Sequence, residues 1–189
     1  MSFEKCKSLN TLMTEFNRTW FIAGGWAIDL FIGTETREHG DIEFSVFRKD
    51  QVYLKKHFKG WNFNKVVKGK FHTWNNEFLE LPVHEIHASN IINNEKIEIL
   101  LNETKDNSWI FRRDSRISYP IESIWSINEI GIPYLNPEIV LLYKAKNTKD
   151  KDNHDFNSVY NYLSEKQINR LRDSLKIHEP NHHWLQYLS

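Results

Sequence analysis

Phe21-Ile22-Ala23-Gly24-Gly25-Trp26-Ala27-Ile28-Asp29-Leu30 and, one loop later, His39-Gly40-Asp41-Ile42-Glu43-Phe44 decide the fold. The first run reads as a buried strand, Trp20–Ala23, that turns sharply through a glycine pair into a short helix, Trp26–Ile32. The second run leads into a strand, Ile42–Phe47, and brings two carboxylates at i and i+2. Strand side chains alternate, so Asp41 and Glu43 share one face while Ile42 and Phe44 point into the core. Two acids on one face repel where water is scarce, and a divalent cation relieves that repulsion. Gly24 and Gly25 lack a Cβ, which frees them to adopt φ > 0 and to present N–H groups at a helix start, where phosphate is favoured. Alone, a Gly-Gly turn is most often only a turn, and an Asp-x-Glu pair most often a solvated strand face. Together they are the equipment for handling a nucleoside triphosphate.

Upstream, Phe3, Cys6, Leu9, Leu12, Met13 and Phe16 recur at helical spacing and predict an amphipathic helix that serves as scaffold. Downstream, Asp50 to Phe58 reads as a short helix capped by Asp50, and Trp61–Val67 as a strand. The aromatic run from Phe71 to Ile92 predicts a meander of hairpins, with turns at Asn75-Asn76 and Asn93-Asn94. From Lys96 to Glu103 the pattern alternates again, placing Glu98 on the face opposite Ile97 and Ile99. His84 and His87 are three apart in a strand-like stretch, so they do not form the i, i+4 zinc motif of a helix.

Pro120 and the less periodic run from Ile117 to Glu129 suggest a boundary. Beyond it, Asn136-Pro137 starts a helix that runs through Lys146, with Lys144 and Lys146 projecting differently. Asp155 to Leu163 forms another apolar stripe, and Ser164 with Gln167 makes a capping box for a last helix. The tail is expected to be a small helical bundle.

The 189 residues include 40% hydrophobic and 14% aromatic side chains, enough for a core, and 25 basic residues balance 25 acidic ones. Balanced charge offers no bulk attraction to nucleic acid or anionic membrane. The single cysteine, Cys6, excludes an intramolecular disulfide framework and a cysteine-based zinc site. The N-terminal residues lack a basic-then-apolar leader pattern, and Trp20–Gly33 is too short to span a membrane, so a cytoplasmic location is expected.

Residues 24–30, Thr36-Arg37-Glu38-His39 and Asp41-Ile42-Glu43, in this order, resemble the DNA polymerase beta-like nucleotidyltransferases. Within them the chain is similar to the small bacterial adenylyltransferases that modify aminoglycosides and lincosamides. Leu141 to Lys146, Lys151-Asp152 and Asp155-Phe156 carry the resemblance on, so that it spans about Trp20 to Trp184. It implies an α+β fold: a mixed sheet with flanking helices in a catalytic domain, residues 1–118, followed by a C-terminal helical domain, residues 119–189. It also implies transfer of a nucleoside monophosphate, AMP from ATP, to a hydroxyl of a small aminoglycoside- or lincosamide-like molecule. Two Mg2+ ions would be held by Asp41, Glu43 and a third acid from a later strand.

Glu98 matches the third-acid position best, with Glu103 as runner-up, and would complete the metal site or accept the proton of the attacking hydroxyl. Gly24 and Gly25, with Lys144 or Lys146, would neutralise the phosphates. Arg37 and His39 flank the acid strand and would touch phosphate, His39 being equally suited to a structural role. Arg112-Arg113 receives no role. In the resembling family the second and third acids are more often aspartate, and many superfamily members carry serine where Trp26 stands. The other reading is a nucleotidyltransferase-like toxin or regulator acting on tRNA or protein, or a non-catalytic nucleotide-binding member, and neutral net charge speaks against a nucleic-acid acceptor.

Overall fold

A computed structural model describes residues 3–188 and has the expected α+β architecture, a mixed sheet with flanking helices and helices at the C-terminal end. Helix α1 (Glu4–Leu12) precedes β1 (Trp20–Ile22) and α2 (Gly24–Ile32). Strand β2 (Glu43–Phe47) runs into a 3-10 turn over Arg48–Tyr53 and then α3 (Leu54–His57). Asp50 thus sits inside the turn and does not cap a helix. Strands β3 (Trp61–Val67), β4 (Lys70–Thr73), β5 (Glu85–Asn90) and β6 (Lys96–Lys105) follow, but they do not form the expected meander. Strands β3 and β4 make a hairpin, the chain then crosses back so that β5 pairs antiparallel with β3 rather than β4, and β6 pairs with β5.

The chain continues through β7 (Ser108–Ile110), β8 (Ser118–Pro120), β9 (Trp125–Ile127) and β10 (Pro133–Leu135). The main sheet has the order β4-β3-β5-β6-β2-β1-β10-β9, with β7 and β8 branching from β6. Two parallel pairings centre it, β2 with β6 and β1 with β10. The less periodic stretch after Ile117 therefore still supplies sheet. Strands β9 and β10 form a hairpin through Gly131 (φ +78°), and Tyr134 pairs with Ile22.

Continuous helix begins at Pro137. Helix α4 (Pro137–Lys144) packs on α2 and on α6 (Glu165–His178), while α5 (Asp150–Val159) packs on α4 and α2. The Ser164–Gln167 capping box starts α6 as expected. Helix α4 stops at Lys144, and α5 starts earlier than its apolar stripe indicates. Its first turn is polar: Asp152 accepts from the Lys149 N–H (3.0 Å) and so closes the N-terminus.

Phe44, Val46, Ile97, Ile99 and Leu101 fill one side of the central strands and are essentially buried. Burial of this face fixes the strand register, because a one-residue slip would exchange these side chains for the polar set. Among the described residues no helix is long and apolar enough to cross a membrane.

Candidate active site

Alternation leaves the opposite face of β2, β5 and β6 polar, and this face holds the acids. In the parallel pairing Glu43 stands opposite Glu98, and the Glu98 N–H donates to the Ile42 carbonyl at 3.0 Å. In the antiparallel pairing His87 stands opposite Glu98. Asp41 lies in the exposed bend just before β2. Three strands thus deliver Glu43, Glu98, Glu85 and His87 to one patch, with Asp41 at its edge.

These carboxyls are crowded, and their proximity raises their proton affinity. Burial, together with Glu43, Glu85 and Asp41, pushes the Glu98 carboxyl up to about 8. Glu43 is raised too, chiefly by burial; Lys144 and Lys151 pull it down, while Asp41 and Glu85 push it up. A group of carboxylates this short of positive charge, built from oxygen donors, suits a hard divalent cation such as Mg2+.

The glycine pair works in two ways. Gly24 has φ +61° and a Cβ on it would lie 1.6 Å from Glu43 Oε2, so only glycine lets the β2 acid close over the start of α2. Gly25 does not have the positive φ expected for both. Its constraint is space, since a Cβ there would meet Arg37 Nη2 at 2.3 Å and His39 Cε1 at 2.4 Å. The loop between α2 and β2 lies directly on the glycine.

That loop uses Arg37 and His39 as struts. Arg37 Nε and Nη2 donate to Asp155 at 2.7 and 3.0 Å, clamping the loop to α5. His39 Nε2 lies 2.6 Å from Asp29 Oδ2, and its ring sits 4.4 Å from that of Trp26. Neither residue lines the cavities beside the acids. Trp26 Nε1 donates to the Asp41 carbonyl at 3.1 Å, and Lys5 Nζ to the Gly40 carbonyl at 2.7 Å. The residue in the place of a serine therefore anchors the backbone of the first acid.

Two adjoining cavities meet at Glu98. One, of about 280 Å³, is walled by Gly24, Glu43, Glu98, Arg112, Tyr143 and Lys144 among others. Lys144 Nζ contacts Asp152 at 2.8 Å and Asp155 at 3.0 Å. Burial works to lower its pKa, but Asp155 and Asp152 outweigh it and the net shift is upward, so the ammonium stays charged. Arg112 forms no ion pair among the described residues, and its guanidinium lies 5.4 Å from the centroid of the Tyr143 ring. Burial lowers its pKa without taking its charge. Lys146 is exposed beyond the end of α4 and is not part of this wall.

The other cavity, of about 240 Å³, is walled by Asp41, Asn64, Phe71, His87, Lys96 and Glu98 among others. Glu103 lies elsewhere. It pairs with Arg48 at 2.5 Å near the far end of β6. A larger open depression of about 860 Å³ around Asn17, Trp20 and Trp125 carries one carboxylate, Asp50, already beside Arg18 at 3.4 Å.

Sequence reading missed Arg112, Lys151, Glu85 and His87. For Glu85 and His87 the signal was present, because i and i+2 on a strand share a face; Asp41, in the bend before β2, does not stand in that relation to Glu43. Arg112 follows β7 in an irregular turn, where no periodicity tells which way a side chain points.

The family model described as aminoglycoside-2''-adenylyltransferase matches residues 6–159. A comparison with curated protein sequences finds no match. The fold is similar to that of the antibiotic-resistance factor ANT(2'')-Ia in solution, at 16% identity and TM-score 0.63, covering 100% of both chains. The crystal structure of ANT(2'')-Ia in complex with adenylyl-2''-tobramycin gives 17% identity and TM-score 0.61 over 92% of this chain and 98% of that one. Lincomycin-bound lincosamide antibiotic adenylyltransferase LnuA gives 18% identity and TM-score 0.57 over 85% and 98%. With the family model spanning most of the chain and the acid-bearing strands inside the match, the chain belongs to the aminoglycoside-2''-adenylyltransferase family.

Proposed function

We propose that the protein transfers AMP from ATP to a hydroxyl of a small, amine-bearing antibiotic-like molecule of the aminoglycoside or lincosamide kind. The observation that carries this reading is the meeting of Glu43 and Glu98 over Gly24, facing Lys144 and Arg112 across one cavity. Acidic and cationic side chains lining one cavity suit a metal-bound triphosphate. The lincomycin bound to LnuA and the adenylyl-2''-tobramycin bound to ANT(2'')-Ia support the choice of acceptor class.

Asp41 and Glu43 would hold Mg2+, whose chemistry is to neutralise the triphosphate and polarise the transferring α-phosphoryl group. Gly24 and Gly25 N–H groups, Lys144 and Arg112 bind the phosphates. The acceptor enters from the cavity walled by Asp41, Phe71 and His87, where the carboxylates attract its ammonium groups. Its hydroxyl oxygen attacks the α-phosphorus, Glu98 takes the hydroxyl proton, and the bond to the departing pyrophosphate breaks. Arg37 and His39 hold the loop that carries Asp41 and touch no phosphate.

Calorimetry tests the first step. ATP binding is expected to require Mg2+ and to be lost in Asp41→Asn. Tight binding without Mg2+ that is indifferent to this substitution would overturn the metal assignment.

A further inference from the structure

Beside the acid pair lie two donors, Glu85 and His87, to which AMP transfer gives no metal-binding or proton-transfer role. Glu85 and His87 sit at i and i+2 on β5, facing Glu98 across the antiparallel pairing with β6. One carboxylate oxygen from each glutamate and a ring nitrogen of His87 lie within 4.8 Å of one another. His87 Nε2 is already 2.7 Å from Glu85 Oε1. Neighbouring ligands of an ion bound at ~2.1 Å are ~3 Å apart, so two of the three donors stand near ligand spacing and the third lies within 4.8 Å of both.

The ring of His87 is held edge-on by Phe71, with centroids 4.8 Å apart. Its side chain is 35% exposed and that of Glu85 29%, so an ion can reach them from the cavity. A histidine–glutamate pair would be complete with one carboxylate. Here a second, Glu98, stands beside it with no ion pair or side-chain hydrogen bond among the described residues, which leaves the cluster one cation short.

We propose that Glu85, His87 and Glu98 form a binding site for a divalent transition ion of the zinc class, distinct from the Asp41–Glu43 pair. The imidazole decides the class. Magnesium takes oxygen ligands and parts with water reluctantly, whereas a nitrogen donor beside two carboxylates favours zinc and its neighbours in the transition series. The motif differs from the His84–His87 pair considered from spacing, because His84 turns to the Pro82 carbonyl at 2.8 Å. Zinc bound here would also take Glu98 away from proton transfer and so inhibit; that consequence, unlike the binding itself, rests on the proposed AMP transfer.

The full chain without nucleotide, in excess Mg2+, is titrated with Zn2+ by calorimetry. One site is expected, weakened at least tenfold in His87→Ala and in Glu85→Gln and within about twofold of wild type in Asp41→Asn, with unfolding temperatures recorded for each variant. Unchanged affinity in a folded His87→Ala, no Zn2+ binding in the presence of the excess Mg2+, or a response that disappears only when His182 and His183 are replaced would overturn the site. If His87→Ala does not fold, Co2+ added to wild type is expected to broaden the Phe71 ring resonances selectively. Absence of that broadening would equally overturn it.

Discussion

Glu43 occupies the space that any side chain on Gly24 would need: a Cβ there would lie 1.6 Å from Glu43 Oε2. The turn into α2 and the second acid of the site are thus one structural unit. Gly24→Ala must hold a left-handed φ, at a cost of ~1–2 kcal/mol, and must also push the carboxylate aside. The variant is expected to fold with a lowered unfolding temperature while turnover falls ~10²-fold, since a displacement of about 1 Å at a reacting centre costs that much. Wild-type turnover would show that the Gly24–Glu43 contact has no part in the chemistry.

Glu98 and Glu103 are separated by their partners. Glu98 faces Glu43 and the cavity, whereas Glu103 is paired with Arg48. Glu98→Gln is expected to lower turnover by ~10²–10⁴, as for other acid–base groups, with a smaller effect on nucleotide affinity. Glu103→Gln is expected to act on stability and leave turnover near wild type. Steady-state kinetics of the two variants decide the matter, and the reverse ranking would remove Glu98 from the mechanism.

The same crowding makes metal-free stability depend on pH. An unfolded glutamate titrates near its ordinary 4.5, while burial and Glu43, Glu85 and Asp41 hold the folded Glu98 near 8. The folded state binds the proton more tightly, so this contribution is fully present below 4.5 and is lost as pH rises toward 8. Without metal, the unfolding temperature is expected to fall across that window, less steeply in Glu98→Gln, and Mg2+ is expected to restore it at the alkaline end. Parallel wild-type and Glu98→Gln curves would contradict the assigned crowding.

On the opposite wall, Lys144→Ala and Arg112→Ala are each expected to raise the KM for ATP about tenfold or more, because a charged hydrogen bond to phosphate is worth ~1.5–3 kcal/mol. Lys144→Ala also loses contacts to Asp152 and Asp155 and should unfold at lower temperature than Arg112→Ala. Lys146→Ala is expected to leave both quantities near wild type. Kinetics alongside thermal melts separates the three, and an unchanged KM in both cavity variants would retire the phosphate wall.

Arg37 makes its own test of strut against phosphate ligand. Arg37→Ala removes two hydrogen bonds to the buried Asp155, so a loss of ~1.5–3 kcal/mol in denaturant-measured stability is expected with little change in KM for ATP. A raised KM at unchanged stability would return Arg37 to the phosphates.

Much of this arrangement is legible in the sequence because strand alternation is a strong constraint. Asp-x-Glu before β2 and the Lys96–Leu101 alternation already place Glu43 and Glu98 on polar faces, and burial of Phe44, Val46, Ile97 and Ile99 on the other side enforces it. Contacts between distant segments are not legible in the same way. Arg37 reaches Asp155 across 118 positions, and nothing in the local pattern distinguishes that strut from a phosphate ligand. Gly25 looks like a turn glycine and is needed instead for the close approach of Arg37 and His39. Strands β9 and β10 are three residues each, too short to show a period, and they extend the sheet past the apparent break near Pro120.

The most direct measurement follows the phosphorus. The protein is incubated with Mg2+ and ATP labelled at either the α- or the γ-phosphorus, in the presence of tobramycin, lincomycin, RNA or no acceptor. α-Label is expected on one of the small molecules and, among the products, γ-label only in pyrophosphate, with neither product formed by Asp41→Asn or without Mg2+. Label on RNA or on the protein in place of a small molecule, or γ-label on the acceptor, would contradict it.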